Sequence, residues 1–258
     1  MNFADKVVLI SGAGSGIGRE MALRFAKLSA KLSLIDINSI TLNKVAQECK
    51  NISKINVHTV IADLGDINNA KYIVDSTKQE YGRIDVLINC AGISGGFGSK
   101  SDVFIENMDK VFNVNLLSHI AITNYASDAL IESKGCVINI SSVFGTHPTR
   151  NLIPYAVAKA ALIHFTKCAA LELGEKGVRV NSISPGPVNT NIVLSDVKTR
   201  ELSDNFWQKL AEQLPLKKLV TTEQIAEVAV LMASEKGGGI TGCNYKVDSG
   251  MALKRLTL

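Results

Sequence analysis

The sequence lacks most features that mark a secreted, membrane-spanning or nucleic-acid-binding protein. Its 258 residues contain no apolar run near the ~20 residues that a bilayer-spanning helix needs. The net charge is only +4 and no block of like charges occurs, so we expect neither nucleic acid nor an anionic membrane as a partner. The first stretch, MNFADKVVLIS, carries charges where a signal peptide would be apolar. We therefore expect a cytoplasmic protein.

Cysteine is scarce and is not arranged for cross-linking or for metal binding. The chain has five cysteines, an odd number, with no CxxC pair and no Cys/His cluster. We expect neither a disulfide scaffold nor a zinc site, and a reducing compartment. The cysteines are Cys49, Cys90, Cys136, Cys168 and Cys243.

Short apolar runs alternate with longer segments of helical spacing along the whole chain. This alternation predicts βαβ units, and hence a doubly wound α/β fold with about seven mainly parallel strands and helices on both faces. No low-complexity linker occurs, so we predict a single domain over 1–258. The segment 187–220 contains no strand pattern and is predicted to be a loop with helices that covers a substrate, or else a plain surface connection. The predicted strands lie at 7–11, 32–36, 56–63, 84–92, 135–142, 177–186 and 243–250.

A glycine-rich turn, SGAGSGIG, lies at 11–18, where the first strand passes into the first helix. Close approach of a pyrophosphate needs a backbone without side chains, and a helix N-terminus offers free N–H groups. Gly12, Gly16 and Gly18 meet that need. A lone glycine motif is weak, because glycine turns also serve packing, but here it stands between the first strand and the first helix.

An acid follows the second strand at the position that a dinucleotide site requires. Asp36 ends LSLID, 18 residues after Gly18. Its carboxylate can accept both ribose hydroxyls of an adenosine and would repel the 2′-phosphate of NADP. Because Ser15 and Ile37 supply no cation, NAD(H) is favoured over NADP(H). Two alternatives stay open: Asp36 as a helix N-cap or turn residue, and use of NADP(H) despite Asp36.

Further short motifs follow in a fixed order: AD at 62–63, NCAG at 89–92, VN at 114–115, ISS at 140–142, YAVAK at 155–159, PGPVNT at 185–190 and VDSG at 247–250. With the glycine turn, they make the chain resemble the short-chain dehydrogenase/reductase family over nearly its whole length. The resemblance implies a seven-stranded parallel sheet with helices on both faces, usually in a homodimer or homotetramer. Cys90, Ser118 and Ser249 depart from the common asparagine, glycine and glycine, and none of these is a catalytic position.

The resemblance also implies how a cofactor would be held. Asp63, with Leu64 beside it, would bind the adenine amine. The adenosine ribose would lie against Asn89, Ala91 and Gly92, and the nicotinamide end against Pro185, Gly186, Val188 and Thr190. The remaining predicted cofactor-binding residues are Gly12, Ser15, Gly16, Ile17, Gly18, Asp36, Ile37, Tyr155 and Lys159.

The run YAVAKAA at 155–161 places Tyr155 one helical turn before Lys159, on the same helix face. Proton transfer at a substrate oxygen needs a group that titrates near neutral pH, whereas a free tyrosine has a pKa of about 10. A cation at ~4 Å with an effective dielectric constant of ~20 supplies about 4 kcal/mol, enough to bring that pKa to ~7. We therefore predict Tyr155 as the general acid/base and Lys159 as the group that lowers its pKa. By resemblance, Lys159 also binds the nicotinamide ribose.

Two further residues complete the predicted catalytic set. Ser142 would donate to the substrate oxygen, whereas the neighbouring Ser141 would face the other side of its strand. Asn115 would orient a water that connects Lys159 to solvent; Asn113 is a competitor, but Asn115 better matches the family position. The predicted catalytic residues are Asn115, Ser142, Tyr155 and Lys159, and no metal is expected.

The predicted function is NAD(H)-dependent interconversion of a secondary alcohol and a ketone. Large apolar residues on segments that border the substrate in this family favour an apolar small molecule, such as a terpenoid, steroid, acyl or aromatic carbonyl; core or interface packing is the alternative. His147 could touch substrate but is more often a bystander at such a position. The alternative function is a cofactor-binding sensor or scaffold without turnover. The apolar residues are Phe97, Phe144, Leu152, Ile192, Phe206 and Trp207.

Overall fold

The computed structural model describes residues 1–95, 102–190, 192 and 200–253. Its strands are β1 (Val7–Ser11), β2 (Lys31–Asp36), β3 (Val57–Ile61), β4 (Val86–Asn89), β5 (Cys136–Ile140), β6 (Arg179–Pro185) and β7 (Asn244–Val247). They form one sheet in the order β3-β2-β1-β4-β5-β6-β7, and every neighbouring pair is parallel. The predicted doubly wound fold is confirmed, although the five strands β3 to β7 are shorter than the segments that predicted them.

Helices connect successive strands, as a parallel sheet requires. They are α1 (Gly16–Lys27), α2 (Ser39–Ser53), α3 (Asn69–Tyr81), α4 (Phe104–Phe112), α5 (Ser118–Ser133), α6 (Ile153–Gly174), α7 (Arg200–Gln213) and α8 (Thr222–Ala233). A π-helical turn (Asn113–Leu117) joins α4 to α5, and a 3₁₀ turn (Val143–Gly145) follows β5. In the described part of the chain, no helix has both the length and the apolar content to cross a bilayer.

Two apolar clusters cover the two faces of the sheet. Along β4, Val86 and Ile88 belong to one cluster and Leu87 to the other, because successive strand side chains point to opposite faces. Buried residues of α1, α2 and α8 complete the first cluster, and those of α3, α5 and α6 complete the second. Burial on both faces explains why the strand segments read as continuous apolar runs.

The order of the strands places a crevice at the carboxyl ends of the two central strands β1 and β4. From β1 the chain builds outward to β2 and β3, and it then returns to add β4 on the other side of β1. Ligands of open α/β sheets bind at such a switch point, beyond the carboxyl ends of the strands. Ser11, at the end of β1, joins the two ends here, because its Oγ accepts the Cys90 N–H at 3.0 Å.

A chain of buried amides ties the middle of the sheet to the helices behind it. Asn89 Nδ2 donates to Asn139 Oδ1 at 2.8 Å, and Asn139 Nδ2 donates to Thr166 Oγ1 at 2.9 Å. All three residues are fully buried. The Asn89 side chain is therefore turned into the protein, so only the backbone of the predicted ribose-lining residue Asn89 can face the crevice.

Candidate active site

The glycine turn folds tightly between the end of β1 and the start of α1. Gly12 has φ of +68°, and a Cβ there would lie 2.7 Å from the Ala91 Cα. A Cβ at Gly18 would lie 2.1 Å from the Gly12 carbonyl oxygen, so the turn packs directly against the first turn of α1. Ser15 makes no side-chain cap, which leaves the first N–H groups of α1 facing the crevice. This arrangement suits a pyrophosphate, as the sequence predicts.

Asp36 connects the glycine turn to the second helix. Its Oδ2 accepts the Gly14 N–H and its Oδ1 accepts the Asn38 N–H, both at 2.9 Å. The N-cap of α2 is Asn38, whose side chain accepts from Ile40 and Thr41, so Asp36 is not the helix N-cap. The bond from the Asn38 N–H, two residues further on, fits the alternative of Asp36 as a turn residue. A carboxylate has about four acceptor sites, and two stay available for ribose hydroxyls.

The segment after β6 approaches the glycine turn from the opposite side of the crevice. A Cβ on Gly16 would lie 3.3 Å from the Thr190 side chain. Gly186 packs against the backbone of Asp248, where a Cβ would come within 2.7 Å of the Asp248 Cα. At the adenine end, Asp63 is exposed and Leu64 is buried. Of the predicted cofactor-binding residues, Gly12 thus lies against Ala91 and Gly16 against Thr190.

The predicted catalytic side chains meet at the carboxyl end of β5. The Lys159 Nζ lies 5.7 Å from the centroid of the Tyr155 ring and donates to the Ile140 carbonyl at 2.8 Å. Ser142 caps the 3₁₀ turn after β5 and bonds the Tyr155 side chain. Ser141 instead donates to the Lys159 carbonyl at 2.9 Å, so these neighbouring serines point in different directions, as the strand alternation predicts.

Burial dominates the electrostatics of this pair. It raises the pKa of Tyr155 above its ordinary value, although a hydrogen bond from Ser142 acts in the opposite direction. It also lowers the pKa of Lys159 to about 8. The prediction that Lys159 lowers the Tyr155 pKa stays a prediction, because burial sets the direction of the Tyr155 shift in this structure.

Asn115 holds the loop that follows β4. Its Oδ1 accepts the Ile93 N–H and its Nδ2 donates to the Ile93 carbonyl, each at 2.9 Å, within the π-helical turn. The side chain is fully buried. A Cβ on Gly92 would lie 3.5 Å from Asn115 Oδ1 and 3.7 Å from Lys159 Nζ, so these three residues converge. Both polar atoms of the amide are bonded to Ile93, and the prediction that Asn115 orients a water connecting Lys159 to solvent stays a prediction.

The predicted substrate-facing residues are more scattered. Phe144 and Leu152 are partly buried, Phe206 is 46% exposed, and Trp207 is buried against it with ring centroids 5.2 Å apart. His147 is partly buried, and its Nδ1 bonds the neighbouring Thr146 hydroxyl. Phe97 lies outside the described residues, as do 191 and 193–199 of the predicted covering segment. No group of three or more His, Cys, Asp or Glu side chains in the described ranges could hold a metal ion.

Comparison with known proteins identifies relatives that match this chain over nearly its full length. A family model described as enoyl-(acyl carrier protein) reductase matches residues 12–252. A meso-2,3-butanediol dehydrogenase from Serratia marcescens is 32% identical over 97% of this chain and 96% of its own length. Levodione reductase from Leifsonia aquatica is 32% identical over 97% of this chain and 95% of its own.

Solved structures agree with the sequence relatives. A crystal structure of levodione reductase has a TM-score of 0.91 at 30% identity, covering 98% of this chain and 100% of that one. A 7α-hydroxysteroid dehydrogenase complexed with NADH and 7-oxo glycochenodeoxycholic acid has a TM-score of 0.88 at 27% identity, covering 96% and 95%. The fold and the glycine turn define a Rossmann-type, NAD(P)-binding oxidoreductase. The chain belongs to the short-chain dehydrogenase/reductase family, whose members act on CH–OH groups and their ketones.

Proposed function

We propose that the protein is an NAD(H)-dependent oxidoreductase that interconverts a secondary alcohol and a ketone. The proposal is carried by the convergence of Ser142, Tyr155 and Lys159 at the carboxyl edge of the sheet, beside the glycine turn. A bound nicotinamide would supply or accept the hydride, and the protein side chains would handle the proton. The dehydrogenase and reductase names of the relatives agree with this chemistry.

Each catalytic side chain has one role in the proposal. Tyr155 exchanges a proton with the substrate oxygen. Ser142 Oγ accepts the Phe144 N–H at 3.2 Å, and its O–H, which acts on Tyr155 in this structure, would turn to donate to the substrate oxygen. Lys159 is fixed by the Ile140 carbonyl and binds the nicotinamide ribose with its other donors.

The proposed preference for NAD(H) rests on the charges around Asp36. Its carboxylate is held by two backbone N–H groups and would repel a 2′-phosphate. Arg19, a cation in the first turn of α1, is paired with Glu48 at 2.7 Å, so binding of a 2′-phosphate would compete with this ion pair. The other cofactor-binding residues keep the roles that the family resemblance implies.

The covering segment and the oligomer are further parts of the proposal. Val188 and Val220 form a parallel bridge, so the chain leaves and returns at one place, as a lid over a site would. We propose that it covers an apolar substrate, with Phe144 and Leu152 on the facing side, and that the protein acts in the cytoplasm. Helix α6 exposes Leu171 (78%), and a homodimer or homotetramer would cover it.

Turnover with a panel of secondary alcohols and NAD⁺, followed by the absorbance of NADH, tests the proposal. We expect Tyr155→Phe to lose about 10³-fold in kcat. Tyr125→Phe is the matched control, because Tyr125 is an exposed tyrosine on α5. Full turnover in Tyr155→Phe would contradict the assigned roles, tighter binding of NADPH than of NADH would contradict the cofactor preference, and NADH binding without turnover on any alcohol would favour the sensor function.

A further inference from the structure

A cavity of about 560 Å³ opens at the amino ends of the strands, whereas the cofactor crevice lies at their carboxyl ends. The first residues of β4, β5 and β6, which are Val86, Cys136 and Arg179, line it together with residues 1–3 and 233–236. None of the predicted catalytic or cofactor-binding residues lines this amino-end cavity. Its volume is typical of a small-molecule site, so it is a candidate binding site separate from the crevice.

One part of the wall of the amino-end cavity is apolar. Phe3, Val86 and Cys136 are buried residues of the apolar cluster that covers one face of the sheet. Burial raises the pKa of the Cys136 thiol to about 11, so this part of the wall stays uncharged at neutral pH. Such a wall accommodates the apolar body of a ligand and offers no partner to a second charge.

The buried carboxylate on the lining already has its partners. The two oxygens of Asp85 accept one hydrogen bond from Lys6, one from the Val7 N–H and two from Arg83, at 2.6 to 3.1 Å. A carboxylate has about four acceptor sites, so Asp85 has none left for a cationic ligand. Glu235, the other carboxylate on the lining, is exposed to solvent. The cavity is therefore not built to bind a cation.

Arg179 is held in the cavity wall by neutral groups. Its Nη1 donates to the carbonyls of Met232 and Gly237, at 2.6 and 3.0 Å, at the end of α8 and in the turn after it. These bonds fix the guanidinium but leave its charge uncompensated, because a carbonyl carries no net charge. Among the described residues, the Arg179 Nε has no hydrogen-bond acceptor, so a donor remains for a ligand.

Two lysines on the lining add to this positive charge. Lys134 Nζ donates to the Lys176 carbonyl at 2.9 Å, and Lys236 is exposed in the 3₁₀ turn after α8. In the part of the chain that the structure describes, neither lysine forms an ion pair, and neither does Arg179. Three cations without carboxylate partners around one cavity produce a positive potential that attracts an anion.

We propose that the amino-end cavity binds a small organic carboxylate with an apolar body, and that Arg179 is its main charged partner. The guanidinium matches a carboxylate in geometry and in charge, and its bonds to carbonyls hold it in place before a ligand arrives. The apolar wall takes the body of the ligand, which an inorganic anion lacks. The proposal does not rest on the proposed function, because it uses neither the crevice nor the catalytic residues.

Calorimetric titration of the whole protein with 2-naphthoate tests the chemistry of the ligand. We expect one site with a Kd of about 1 mM or tighter. 2-Naphthylmethanol, which has the same body without the charge, should bind about 10-fold more weakly. Acetate, which has the charge without the body, should also bind about 10-fold more weakly. Equal binding of 2-naphthylmethanol or of acetate would overturn the assigned ligand class.

Substitutions on the lining test the location of the site. Arg179→Gln keeps a donor for the carbonyls but removes the charge, and it should weaken 2-naphthoate binding about 10-fold. The double variant Lys134→Met, Lys236→Met changes only exposed side chains, so it keeps the test available if Arg179→Gln does not fold, and it should also weaken binding about 10-fold. Lys44→Met is the matched control, because Lys44 is an exposed lysine on α2 that does not line the cavity. Unchanged affinity in the folded lining variants would refute the proposal.

A crystal structure of the protein soaked with 2-naphthoate tests the contact itself. We expect density in the amino-end cavity with the carboxylate within hydrogen-bond distance of the Arg179 guanidinium. Density in the cofactor crevice alone, or at neither place, would overturn the proposal. Failure of the wild type to bind NADH would instead refute the proposed function, and it would leave the result at the amino-end cavity unchanged.

Discussion

Replacing Lys159 by methionine tests the electrostatic link on which the proposed catalysis depends. The ammonium lies 5.7 Å from the Tyr155 ring centroid. Taking the distance to the ring centroid as the separation of the charges, an effective dielectric constant of ~20 gives an attraction of about 3 kcal/mol between ammonium and phenolate, or ~2 pKa units. We therefore expect Lys159→Met to raise the pKa of Tyr155 by a further ~2 units and to lower kcat/KM about 100-fold near neutral pH.

Ultraviolet absorbance of the phenolate measures this shift directly. Titrations of the wild type and of Lys159→Met, each corrected by the same protein carrying Tyr155→Phe, isolate one phenol from the others. Lys167→Met is the matched control, because Lys167 is an exposed lysine on the same helix, and it should change neither the titration nor the rate. Equal midpoints in the wild type and in Lys159→Met would refute the reasoning.

Three other substitutions test the fold and the cofactor crevice. Asp85, buried at the start of β4, keeps a pKa below its ordinary 3.8 because hydrogen bonds, first from Arg83, outweigh the effect of burial. The stabilisation by the Asp85 carboxylate is thus complete above pH 3.8 and is lost as pH falls through the folded pKa. Urea unfolding should show this loss in the wild type and not in Asp85→Asn. At neutral pH, Asp85→Asn should be about 2 kcal/mol less stable than the wild type. Gly18→Ala places a Cβ against the Gly12 carbonyl and should lower the free energy of unfolding by about 1–3 kcal/mol, measured by thermal or urea unfolding. The same substitution should also weaken NADH binding. Asp36→Ala should weaken NADH binding about 10- to 100-fold, as measured by fluorescence titration. It should also reduce the difference between the affinities for NADH and NADPH.

The sequence predicts the fold well because its signals are local and repeated. Each strand is a short apolar run followed by a helical segment, and right-handed crossover connections leave few ways to arrange such units. The glycine turn is predicted for the same reason, since the turn at Gly12 needs a positive φ that glycine adopts without strain. The nearness of Ser142 to Tyr155 follows from the family pattern, which fixes the end of β5 against the start of α6.

The sequence does not predict where individual polar side chains point. Asn89 and Asn115 both come from recognisable motifs, yet the first amide faces Asn139 inside the sheet and the second is bonded to the Ile93 backbone. Such orientations depend on partners that are far away in the chain, so no local pattern carries them.

The spacing of Tyr155 and Lys159 predicts that the phenolate and the ammonium attract each other, but it does not predict the pKa of either group. An i, i+4 pair fixes the sign of the Coulomb interaction, but the same burial that strengthens it disfavours both charged forms. Burial raises the pKa of Tyr155 and lowers that of Lys159 to about 8, so it disfavours the phenolate and the ammonium at the same time. The ammonium can support a phenolate only below about pH 8, where it is still charged, and a raised phenol pKa disfavours the phenolate there. A further positive charge beside Tyr155 would therefore lower the Tyr155 pKa more than Lys159 does alone. Charge at the nicotinamide end of the crevice is for this reason the decisive variable for proton transfer.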